Sequence, residues 1–257
     1  MKVAVIGGGS SYTPELINGF VERQDSFPMT ELWLMDILPE RLEIVGKFAQ
    51  RMAKAAGARF EVHLTTDQRE AVAGAQYVLT QLRVGWMAAR REDEYLGLRH
   101  GLIGQETTGI GGMAKALRTI PVILKIAADM QELAPDALLV NFTNPAGLNT
   151  EALARYGGNV QAVGVCNVPI TTKMGMLKRL GITAEPGQAQ LDTLGLNHLT
   201  WHRGFKIDGE DLWPQIFESY VAELKSGANT DWDVDTVESL GMIPNYYLQY
   251  FYYTDRK

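Results

Sequence analysis

The 257-residue sequence predicts an α/β fold: a doubly wound parallel sheet followed by the start of a second, α+β domain. Three observations carry this. Apolar, β-branched runs alternate with longer amphipathic stretches through the first half of the chain. A glycine turn follows the first of these runs. Beyond about residue 188 the pattern changes to strands joined by a tight turn.

The predicted strands are KVAVI, TELWLMD, RFEVHLTTD, AQYVLTQL, ALLVNFTNP and QAVGVCNV. Strands this uniformly apolar need covering on both faces, and the segments 12–23, 39–56, 114–133 and 146–157 have the apolar spacing of covering helices. A Rossmann-like doubly wound unit over residues 1–185 follows, with residues 186–257 as the N-terminal portion of a second, different domain. In the latter, Asp208 and Gly209 form a hairpin turn, 214–226 is helical and 226–236 is a polar connection. The tail IPNYYLQYFYYTDRK is dense in tyrosine; rings in that number need something to pack against, so the sequence reads as cut short.

Composition narrows the function. Thirty acidic against 24 basic side chains leave a charge of −6, without the positive field that nucleic acid or an anionic membrane would demand. One cysteine cannot form an intrachain disulfide, the apolar run before Gly7 is too short for a secretory signal, and no segment approaches the ~20 apolar residues of a membrane span. The expectation is a cytoplasmic protein with no nucleic acid and no membrane partner.

In a doubly wound sheet, ligands collect beyond the carboxyl ends of the strands. Gly7, Gly8, Gly9 and Ser10 precede a helix starting near Pro14, so backbone can approach a phosphate at a helix N-terminus. Tyr12 replaces the third glycine of the dinucleotide fingerprint, so helix and strand must pack differently there; a plain tight turn is the alternative. Asp36 ends the second strand, where an acid accepts from ribose hydroxyls and repels a 2′-phosphate, favouring NAD+; otherwise it is a solvated acid before Pro39. Arg83 ends the fourth strand and points its guanidinium at an anionic or hydroxylated substrate, while Arg91 and Glu92 read as a solvated helix face. Residues 101–116 hold five glycines around Gln105 and Glu106: a loop close to a ligand, or a mobile lid. Asn144 is a ligand-facing amide or a helix cap. Cys166 is a buried small side chain or a metal ligand, with His198 or His202 as its nitrogen partner. Among Tyr246, Tyr247, Tyr250, Tyr252 and Tyr253, most pack a core and one could serve as a base; pattern alone does not choose.

Taken in order, IGGGSSYTPEL, LMD, LRVG, GLIGQETTGIGG, NFTNP, GVCNVP, GLNHLTW and PNYYLQYFYY resemble glycoside hydrolase family 4, and within it the 6-phospho-β-glucosidases, across nearly the whole chain. Enzymes of that family are similar in fold to NAD-dependent dehydrogenases and stand apart from glycosidases built on two carboxylates. The resemblance implies NAD+-dependent oxidation at C3 of a 6-phosphoglucoside, loss of the C2 proton with departure of the aglycone, addition of water, and reduction. It also implies Cys166 and His198 as Mn2+ ligands, Tyr247 as the C2 base, and Arg83, Arg90, Asn144 and Asn167 around the sugar. Gly7 to Ser10 with Asp36 form the NAD+ site. Glu106 lies in a matching motif and is given no proton-transfer role. An acid follows the metal-binding cysteine in α-specific relatives; here Asn167 stands there, which disfavours α-glucosides and leaves the general acid unassigned.

The implied substrate is a phosphorylated disaccharide or an aryl 6-phospho-β-glucoside, and the implied assembly a homodimer or homotetramer. Family members are longer, with an arginine for the 6-phosphate in the part that follows. Two other readings stand beside this one: an NAD-dependent 2-hydroxyacid-type dehydrogenase, which would accumulate NADH, and an NAD-binding module without turnover.

Overall fold

The structure is a computed structural model that describes residues 1–184 and 187–256. The chain divides into two compact units, Met1–Val165 and Cys166–Lys257. The predicted boundary at residues 185 and 186 lies outside the described residues; contacts divide the chain earlier, because the helix after Cys166 packs within the second unit.

The first unit contains β1 (Lys2–Ile6), α1 (Thr13–Glu22), β2 (Glu31–Met35), α2 (Pro39–Ala55), β3 (Glu61–Thr65), α3 (Gln68–Val72) and β4 (Tyr77–Thr80). It continues with α4 (Trp86–Arg99), α5 (Gly109–Leu133), β5 (Leu138–Asn141), α6 (Ala146–Tyr156) and β6 (Gln161–Gly164). All six strands are parallel, in the order β3-β2-β1-β4-β5-β6, which is the dinucleotide-binding arrangement with its crevice between β1 and β4. Alternation along β1 explains the two cores. Val3 and Val5 pack with Ile17, Leu32, Leu34 and Leu42 on one face; Ala4 and Ile6 pack with Ile123, Ile126 and Met130 on the other. Each such side chain contributes about 1.5–3 kcal/mol when fully buried.

The second unit opens with α7 (Val168–Leu180) and continues through β7 (Ala189–Leu196), β8 (Leu199–Ile207), β9 (Glu210–Asp211), α8 (Trp213–Ser226), α9 (Val234–Leu240) and β10 (Ile243–Pro244). The strands form an antiparallel sheet in which β8 pairs with β7, β9 and β10. Asp208 and Gly209, both at positive φ, make the expected two-residue turn between β8 and β9. A second tight turn, at Asn197 and His198, joins β7 to β8. Helix α9 begins at Val234, inside the stretch 226–236 read as a polar connection, and runs beyond it, where its Val237 is fully buried in one core with Ile216 and Phe205. The aromatic tail finds partners within this unit: Leu248 is buried, Trp232 packs against Tyr252 and Tyr253, and the Tyr253 hydroxyl accepts from the Asp233 N–H at 2.7 Å.

Candidate active site

The glycine turn after β1 is closed to side chains. A Cβ on Gly7 would lie 2.8 Å from the Gln81 carbonyl oxygen, one on Gly8 2.8 Å from Leu34 Cβ, and one on Gly9 2.8 Å from an Asp36 carboxylate oxygen. Gly7 also has φ of 97°, which L side chains rarely adopt. This is the close backbone cradle a pyrophosphate requires, so the residues fit a dinucleotide. The Tyr12 position behaves as expected. Its ring faces out and the close packing passes to Thr13, which is fully buried, donates to the Gly8 carbonyl at 2.8 Å and accepts from Gln81 Nε2 at 2.9 Å. Nothing in the spacing had singled out Thr13.

Asp36 is buried rather than solvated. One carboxylate oxygen accepts from Gly9 N–H at 2.9 Å and the other from Leu38 N–H at 3.0 Å, so the acid is aimed at the glycine turn while lone pairs remain for a ribose. Arg41 clamps the same turn, donating through Nε and Nη2 to the Gly9 carbonyl at 3.2 and 3.0 Å.

Arg83 and Arg90 meet at one carboxylate. Glu106 is bonded by Arg83 Nη1, lies 3.5 Å from Arg90 Nη1, and accepts from Lys115 Nζ at 2.7 Å. Burial alone would raise the Glu106 pKa, but the bonds from Arg83 and Lys115 outweigh it and hold the carboxyl below its usual range. Lys115, only 2% exposed, is pushed down by burial against the pull of Glu106. Arg90 is shared with Glu94, whose Oε1 accepts from its Nε at 2.9 Å, so three cations meet two carboxylates here. The glycine-rich segment is a packed element here. Helix α5 begins at Gly109 rather than at 114, and a Cβ on Gly111 or Gly112 would strike the backbone of Gln105 or Thr107. Arg91 and Glu92 are exposed, as expected of a solvated face.

The Asn144 side chain does not cap α6, whose N-cap is Pro145. The loop is braced by its neighbours: Asn141 and Asn149 amides both donate to the Thr143 carbonyl, at 3.3 and 2.9 Å. Asn167 is exposed at the N-cap of α7 and makes no side-chain cap.

In the second unit three of the singled-out residues come together. Cys166 Sγ lies 3.7 Å from His198 Nε2, and the His198 ring stacks on Tyr247 with centroids 3.7 Å apart and planes 3° from parallel. For zinc, metal–sulfur and metal–nitrogen bonds of about 2.3 and 2.1 Å at a tetrahedral angle set two donors about 3.6 Å apart, so the Cys166–His198 spacing is of the size that two donors to one divalent ion have. Partial burial lowers the His198 pKa, which keeps the imidazole neutral and able to ligate. No cluster of three or more His, Cys, Asp or Glu side chains gathers among the described residues.

His202, the alternative ligand, is buried in the sheet with Nδ1 3.0 Å from Thr193 Oγ1. Of the tyrosines, Tyr246 has its pKa pushed up, by partial burial first and then by Tyr247 and Cys166, so its phenol stays protonated. Tyr247 is the one against the imidazole. What spacing did not reveal was the turn at Asn197, which brings His198 out of the β7–β8 ladder; an Asn there was the available signal.

Residues 2–182 match the model of family 4 glycosyl hydrolases, and residues 193–257 match that of the family 4 glycosyl hydrolase C-terminal domain. The chain is 46% identical to a probable 6-phospho-beta-glucosidase of Bacillus subtilis, over 99% of this chain and 59% of that protein. It is 40% identical to a 6-phospho-beta-glucosidase of Escherichia coli, over 98% of this chain and 58% of that protein. Among solved structures, the 6-phospho-beta glucosidase of Thermotoga maritima with manganese, NAD+ and glucose-6-phosphate superimposes with a TM-score of 0.90 at 35% identity, covering 100% of this chain and 60% of that one. The chain thus spans about three-fifths of the length of the relatives it matches.

Proposed function

The chain belongs to family 4 of the glycosyl hydrolases, and from that premise we propose that the protein hydrolyses 6-phospho-β-glucosides with NAD+ and Mn2+. The observation that carries the reading is the Cys166–His198–Tyr247 cluster, a thiol and an imidazole spaced as two donors to one ion would be, with a phenol stacked directly on the imidazole. The names of the relatives and the ligands of the Thermotoga maritima structure support the substrate and cofactors.

NAD+, when bound, would supply reversible oxidation at C3 of the sugar, and Mn2+, when bound, would supply positive charge for oxygens that become anionic. The glycine turn and Asp36 would hold the dinucleotide, and Cys166 with His198 would hold the metal. Tyr247 takes the C2 proton, which is acidic once C3 is a ketone. Arg83, Arg90, Asn144 and Asn167 orient the sugar; Glu106 keeps the two arginines in place. Asn167 offers no proton to a leaving group, which supports β- over α-glucosides.

The protein is further proposed to be cytoplasmic, where NAD+ and an unpaired thiol are both at home, and to work as a homodimer or homotetramer. The absence of a membrane-crossing helix among the described residues is in keeping with the first; Leu98, Leu102, Met113 and Leu117, all exposed on α4, α5 and the loop between them, support the second. The test is release of the aryl group from an aryl 6-phospho-β-glucoside by full-length protein under reducing conditions. Release is expected only with both NAD+ and Mn2+, without net NADH; release that persists without them contradicts the proposal.

A further inference from the structure

We infer that Asn245 is a positioning residue that holds Tyr247 in register with His198, an assignment resting on the phosphoglucosidase reading. The pairing of β10 with β8 stops at Pro244, opposite Trp201, and proline cannot donate to a ladder. Asn245 takes over. Its N–H donates to the Thr200 carbonyl at 2.8 Å, its Nδ2 to Thr200 Oγ1 at 3.3 Å, and its Oδ1 accepts from the Tyr247 N–H at 3.0 Å. Asn245 and Thr200 are 4% and 5% exposed, so these bonds are shielded from water and leaving one unmade is unfavourable. Thr200 is two residues beyond His198, and the Tyr247 ring stacks back on His198. Two side chains whose relative placement matters are therefore joined by a closed path: His198 to Thr200 along the strand, Thr200 to Asn245 by two hydrogen bonds, Asn245 to Tyr247 by one, and Tyr247 to His198 by ring contact.

An ordinary cap needs only the arm to Tyr247 N–H. The side-chain arm to Thr200 supplements the backbone bond in tying the turn to the strand bearing His198, and two substitutions remove that arm from opposite sides while leaving the backbone bond. Asn245→Ser keeps a capping oxygen but does not reach Thr200, and Thr200→Val removes the accepting hydroxyl while keeping shape.

Both variants are made in the full-length protein and assayed on an aryl 6-phospho-β-glucoside carrying hydrogen or deuterium at C2; Mn2+ binding is titrated by electron paramagnetic resonance and NAD+ binding by fluorescence. A misplaced base slows proton removal, so kcat is expected to fall roughly 10- to 100-fold with a larger C2 isotope effect. Because both variants keep Cys166, His198 and the glycine turn, Mn2+ and NAD+ affinities should stay within about threefold of wild type. A kcat within about threefold of wild type in both variants overturns the inference, as does a loss in which metal affinity falls in step and the isotope effect is unchanged. Should one variant fail to fold, the other decides. A wild-type protein without NAD+-dependent release overturns the parent reading and this inference with it.

Discussion

The smallest decisive unit is the ring of Tyr247 lying flat on His198. On the proposed reading this phenol removes the C2 proton, so Tyr247→Phe should lower kcat by about 100-fold or more while NAD+ affinity is unchanged, read by steady-state kinetics and fluorescence titration. Unaltered turnover would reject the assignment. Cys166→Ser replaces a soft donor with a weak one, and Mn2+ affinity should drop by about tenfold or more in a calorimetric titration. At this scale the sequence was informative about residue types and poor on choices among equals. It offered two histidines and five tyrosines. What separates His198 from His202 is that one sits in a turn and the other faces Thr193 inside a sheet, a distinction of strand register that spacing does not encode.

At the scale of elements, the glycine turn and the Glu106 cluster make opposite demands. Gly8→Ala pushes a methyl against Leu34 and should destabilise the first unit by about 1–3 kcal/mol in denaturant titrations, with weakened NAD+ binding. Glu106→Leu leaves Lys115 buried without its partner, and about 3–5 kcal/mol of destabilisation is expected, much of it recovered by adding Lys115→Met. Glu106 also sets a pH dependence. Its folded pKa is depressed, so the unfolded chain binds more protons between the folded and unfolded values; stability is full above the ordinary carboxylate pKa of about 4.5 and is lost as acid protonates the folded carboxyl. The urea midpoint should fall on acidification below that value in wild type and fall less in the double variant. Lys115 was invisible in GGMAKA because a lysine on a helix is ordinarily exposed; only the packing of α4, α5 and the glycine segment buries it.

At the scale of the molecule, strand identity and the parallel sheet followed from uniform apolar runs, because a parallel sheet covered on both faces leaves that signature in sequence, whereas the order of the strands came only with the structure. The short helices α3 and α9 were not anticipated. Each is held by contacts made far along the chain rather than by its own periodicity: Val72 enters the core with Ile123 and Ile126, and Val237 that with Ile216 and Phe205. The proposed reaction requires an oxidation that leaves no oxidised product, which is what separates it from a dehydrogenase on the same scaffold. The most direct test is turnover of an aryl 6-phospho-β-glucoside by full-length protein in heavy water with NAD+ and Mn2+, with the glucose-6-phosphate product analysed by NMR. Deuterium at C2 in the product, absent without NAD+, is the outcome expected from proton removal by Tyr247. Hydrolysis that retains hydrogen at C2 would contradict it.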